Sequence, residues 1–165
     1  MSLATPSFRR PFWTPHTISR FADAFSHMDA QTKTAPLILG LVANYSAAQI
    51  APFVISLKQS GFKGQVVFLV ANLSSETIAF LERAGVETVT FDPQKYAPFH
   101  IQNSRWFHYL DYLMNRILDG SPPSSVLFTD VRDVVFQSDP LKGPLGSVEI
   151  FYENARPLIG DCPYN

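Results

Sequence analysis

The chain has 165 residues, enough for one domain with a real core but short for two. A net charge of -1 offers no basic field for nucleic acid or an anionic membrane, and only 16% of residues are charged, against about 25% in average usage, so part of the surface is expected to face another segment, a ligand or a partner copy. The single cysteine, Cys162, excludes an internal disulfide and a cysteine-rich zinc site, and no apolar run approaches the about 18 residues of a membrane span.

The N-terminus has no charged region followed by a long apolar one, so no secretory signal is read and a cytoplasmic location is expected. Residues 1–34 hold Pro6, Pro11 and Pro15 and a weak helical stretch from Ile18 to Met28, with Ile18, Phe21, Ala22 and Phe25 at helical spacing. They read as a leader. An α/β domain is expected over 35–165.

From Pro36 the pattern changes. Leu37 to Ala43 is a continuous apolar run, the mark of a strand covered on both faces. Asn44-Tyr45-Ser46 forms a loop, and Ser46 is a good N-cap for a helix over about Ala47 to Gln59, with Ile50, Phe53, Val54 and Leu57 on one side. Pro52 is expected to kink that helix or shift its start, and Gly61 to end it. Gln65 to Ala71 is a second buried strand. Ser74 or Ser75 caps a short helix containing Ile78, Leu81 and Glu82, stopped by Gly85.

Val86 to Phe91 reads as a third strand. A helix over roughly Gln102 to Asp119 follows, with Ile101, Leu110, Leu113, Met114 and Ile117 as its apolar positions. Gly120 to Pro123 breaks it. Val126 to Phe128 is a fourth strand, and Ser147 to Glu153 a fifth. Strand and helix in alternation predict a Rossmann-like, mostly parallel sheet with helices on both faces. Ligands in such sheets bind beyond the carboxyl ends of the strands, which puts Asn44, Tyr45, Asn72, Asp92, Asp130 and Asp133 near one rim.

Several chemistries lack their motifs. There is no GxGxxG after the first strand, no P-loop and no Gly-x-Ser-x-Gly elbow. His16, His27, His100 and His108 form no close metal pair, and His100 and His108 read as packed side chains. The stretch from Ser125 to Leu141, "SVLFTDVRDVVFQSDPL", is different. Asp130 and Asp133 stand three apart at a strand end, where carboxylates are costly unless paired or bound to a metal. Two such acids can hold Mg2+ or Mn2+, and through it a diphosphate. The plainer alternative has Asp130 capping the turn and Asp133 paired with Arg132 or another arginine.

With "SDPL" following, this stretch resembles the Asp-x-Asp region of metal-dependent glycosyltransferases with the A-type nucleotide-diphospho-sugar fold. "ANYSAAQIAPFVISLKQSG" from Ala43 resembles their first strand end and helix, "NSRWFHYLDYL" from Asn103 the helix before the aspartates, and "EIFYENARPLIGDCPYN" from Glu149 the strand and loop after them. The resemblance covers about Pro36 to Asn165. It implies a nucleotide-diphospho-sugar donor, an acceptor of unknown identity, and Mn2+ or Mg2+ held by Asp130 and Asp133. It implies donor contacts from Asn44, Tyr45, Asn72, Arg105 and Arg132, and an acceptor half beyond this chain. Arg132 stands where the second acid of Asp-x-Asp falls. Metal contact then rests with Asp130 and Asp133, with Asp130 alone, or with neither if Arg132 replaces the cation.

Arg105, His108 and Tyr112 share a helix face, and Arg105 is expected either to meet the donor or to pair with Asp111 or Asp119. Tyr45 is expected to stack on a base or to pack on its helix, and Asn72 and Asp92 to contact ribose or base or to serve as turn residues. Two other functions compete: a non-catalytic nucleotide-binding or remnant module, and a Mg2+-dependent phosphohydrolase or phosphotransferase with Asp130 as nucleophile.

Overall fold

A computed structural model describes residues 35–143. The leader over 1–34, the expected strand from Ser147 to Glu153 and the Cys162 end lie outside them. The described elements run β1 (Leu37–Ala43), α1 (Ala47–Gln59), β2 (Gln65–Ala71), α2 (Ser75–Arg83), β3 (Glu87–Thr90), α3 (Ile101–Leu118) and β4 (Val126–Phe128). The four strands form one parallel sheet in the order β3-β2-β1-β4. β1 pairs with β2 along its whole length, from Leu37 opposite Gln65 to Ala43 opposite Ala71.

Side chains alternate across the central strands, so a continuous apolar run covers both faces. Ile38, Val42, Phe68 and Val70 join Ile50, Phe53, Val54 and Leu57 of α1 and Leu81 of α2 in one core. Leu37, Leu39, Val67 and Leu69 join Tyr109 of α3 in the other, with Tyr112 and Leu113 packed against it. Helices therefore lie on both faces, two on one and one on the other.

Local signals explain the boundaries. The Ser46 N–H donates to Gln49 Oε1 at 2.9 Å, and the Thr77 N–H donates to the Ser74 hydroxyl at 3.2 Å. Gly61 and Gly85, just past α1 and α2, have φ of +85° and +73°, the left-handed turn in which glycine carries no steric cost. Pro52 lies inside α1 without moving its start.

The buried face of α3 differs from expectation. It carries Ser104, His108 and Tyr109, while Leu110 stands exposed. The helix meets the sheet through an aromatic and polar stripe, which an aliphatic count overlooks. His100 is exposed and caps α3, its Nδ1 accepting from the Gln102 N–H at 3.4 Å. Among the described residues no helix is long and apolar enough to cross a membrane.

Candidate functional site

The strand order sets the location. The chain leaves β1 toward β2 on one side and returns to β4 on the other, so the carboxyl ends of β1 and β4 flank a topological switch point. The β1–β4 ladder has three pairs and ends with Leu39 opposite Phe128. β1 continues to Ala43 while the other chain turns away after a last contact, Thr129 N–H to Leu39 O at 3.4 Å. This divergence marks the crevice position at which such sheets take ligands.

The segment after β4 is irregular, and three of its apolar side chains anchor it while Val135 stays exposed. Val131 is 2% exposed and reaches the notch left by Gly40, where an added Cβ would stand 2.4 Å from Val131 Cγ2. Val134 and Phe136 pack against the same core. The Phe136 N–H donates to Ser56 Oγ at 3.1 Å, and its ring meets Phe53 edge-on at 5.0 Å. With these three turned inward, Asp130, Arg132 and Asp133 are left exposed.

Each acid is held by a different arginine. Arg105 of α3 donates from Nη1 to Asp130 Oδ1. Arg132 donates from Nε to Asp133 Oδ1 at 3.1 Å, and its guanidinium carbon lies 5.9 Å from the centre of the Tyr45 ring, within cation–π range. The side chains thus form two groups on the segments that leave β1 and β4, Arg105 with Asp130 and Arg132 with Asp133 and Tyr45. Arg105 pairs with neither of the partners expected for a structural role: Asp111 is instead bonded by Tyr96 and, at 2.6 Å, by Lys95. Asp130 likewise meets an arginine instead of capping the turn.

Asn44 and Asn72 end β1 and β2 with φ of +60° and +54°. Asparagine tolerates this left-handed backbone, so both have a local reason to be there; Asn44 adjoins Tyr45, and Asn72 stands one strand further from the crevice. Asp92 accepts from the Gln94 N–H at 2.9 Å, the bond of an ordinary Asx turn.

Sequence reasoning passed over the aromatic floor. Tyr109 is buried within electrostatic reach of Arg105 and Asp130, stacked on Phe128 at 5.2 Å and edge-on to Trp106 at 5.7 Å. Burial pushes its hydroxyl up to about 12, with Arg105 pulling down and Asp130 pushing up. The run "RWFHY" was the available signal.

His108 lies outside this cluster. It is buried between Phe91 at 4.6 Å and Tyr96 at 4.8 Å, and among the described residues its Nε2 has no partner. Burial lowers its pKa; Asp111 and Asp92 oppose that and Lys95 adds to it. The folded state thus binds this proton less readily than the unfolded chain. Stability is full above the unfolded value of about 6.5 and falls as pH drops from there toward the lower folded value. Urea denaturation at pH 7.5 and pH 5 should show a smaller difference for His108→Phe than for the wild type. An equal difference would show that His108 does not carry it.

Asp130 and Asp133 are the carboxylates at hand for a divalent ion. Both are already engaged by guanidinium groups, and among the described residues no group of three or more His, Cys, Asp or Glu could hold a metal ion. Mg2+ and Mn2+ prefer oxygen ligands free of a competing cation. The donor set present does not fit a preassembled metal centre. No family model, curated protein or solved structure matches the chain.

Proposed function

We propose that the chain is the donor-binding part of a glycosyltransferase, taking a nucleotide-diphospho-sugar at the β1–β4 switch point. The observation that carries this reading is that two arginines stand at the carboxyl ends of β1 and β4, Arg105 on Asp130 and Arg132 against the Tyr45 ring. An aromatic ring backed by a guanidinium suits a base, and arginine suits a diphosphate. Departure of a nucleoside diphosphate leaves charge on its outer phosphate, and a positioned arginine stabilises that charge without reorganisation.

A phosphohydrolase with Asp130 as nucleophile is less well supported. Asp130 follows the fourth strand, and Arg105 occupies the carboxylate such chemistry would use. A thermal-shift screen of UDP-, GDP-, ADP- and dTDP-sugars tests the proposal, since a ligand that binds only the folded state raises the melting temperature. At a hundredfold excess over Kd the expected gain is about 2.7 kcal/mol. Absence of a shift with every nucleotide sugar, with and without Mn2+, would overturn it. Binding without transfer to any acceptor would favour a non-catalytic module.

A further inference from the structure

We infer that Asp130 is an internal stand-in for the ligand's phosphate rather than a metal ligand, so that the crevice takes a diphosphate through Arg105 without a divalent ion. The inference rests on the proposed diphosphate site and specifies its chemistry. Its first observation is the asymmetry of the ion pair: the Arg105 side chain is 30% exposed and that of Asp130 is 58% exposed. The cation is the fixed partner, with its guanidinium carbon 5.1 Å from the Trp106 ring centre, and the acid is the one that can leave.

The second observation is an unmet donor. Arg105 Nε is shielded from solvent and, among the described residues, has no acceptor. Arginine presents its N–H groups as a fork that matches two phosphate oxygens at once. Asp130 engages only Nη1. A diphosphate brings more charge and more acceptor oxygens than a single carboxylate, so it competes well for the same guanidinium. Exposed ion pairs add little net stability, and separating this one costs little.

The third observation is the local charge balance. Arg105 and Arg132 offset Asp130 and Asp133, and each acid is bonded to one of the arginines. A metal ion would have to draw both carboxylates away from cations that remain beside it. An anion has only to displace Asp130 from Arg105, while Arg132 stays bonded to Asp133.

Calorimetric titration with inorganic pyrophosphate and with UDP, GDP and ADP, in EDTA and again in Mn2+, tests this on the wild type and on Asp130→Asn, Arg105→Gln and Arg105→Lys. The expected result is binding in EDTA that Asp130→Asn strengthens severalfold, because the internal competitor is weakened. Arg105→Gln should weaken it tenfold or more, and Arg105→Lys should fall between, keeping charge but losing the fork. Melting curves identify any variant that fails to fold, and the Lys variant then carries the comparison.

A metal ligand gives the opposite sign. Binding that requires Mn2+ and is lost in Asp130→Asn overturns the inference and leaves the proposed function standing. Pyrophosphate binding in EDTA, with no preference for any nucleoside diphosphate, upholds the inference and removes the nucleotide reading. No binding of any probe in either condition overturns both.

Discussion

Phe53→Ala should lower the unfolding free energy by about 3–5 kcal/mol, the usual cost of emptying an aromatic core position. Phe53 is fully buried in α1 and meets two other rings edge-on, Phe68 of β2 at 5.6 Å and Phe136 of the site segment at 5.0 Å. Helix, central sheet and crevice wall therefore share one packing joint. Truncation removes both ring contacts, and rigid neighbours limit collapse into the void. Urea denaturation gives the number. A loss under about 1 kcal/mol would mean that the surrounding structure closes the cavity, contrary to this packing.

Gly40→Ala should destabilise by about 1–2 kcal/mol, although a strand interior ordinarily gains from the exchange of Gly for Ala. At this position the added methyl would stand 2.4 Å from Val131 Cγ2 and 3.2 Å from the Phe68 ring. Overpacking in a closed core typically costs about 1–3 kcal/mol, more than the entropy gain of about 0.5–1 kcal/mol. Val131→Ala opens the space the methyl needs. The double variant should therefore lose less than the sum of the two single losses, and the cycle measures that coupling. Additive losses, or a neutral Gly40→Ala, would show that Val131 does not occupy the notch.

Much of the scaffold was legible because its signals are local. The apolar run from Leu37 to Ala43, the Ser46 cap, and the glycines at 61 and 85 depend on near neighbours, and the structure places β1 and α1 where those residues indicate. Strand order was not readable from them, since pairing β1 with both β2 and β4 depends on how the crossovers return. The acid pair was legible as a strand-end feature, but its partners were not. Arg105 lies 25 residues from Asp130, and two nearer acids, Asp111 and Asp119, competed for it in the sequence. Val131 was hidden in a charged stretch, where a single apolar residue gives no periodicity; only the missing side chain of Gly40, ninety-one residues away, explains it.

That anchoring has a consequence for the thermodynamics of ligand entry. Fixing backbone costs roughly 1–2 kcal/mol of conformational entropy per residue, and a loop that orders only on contact with its ligand subtracts this from affinity. Here Val131, Val134 and Phe136 tie the crevice wall to the core, so its ordering belongs to the folding transition. What remains for the ligand is to reorient exposed side chains, chiefly those of Asp130 and Arg132. Association of the proposed diphosphate should then carry the small heat-capacity change of a site ordered beforehand rather than the large one of coupled folding, and its rate should be set by encounter and by the exchange of one ion pair.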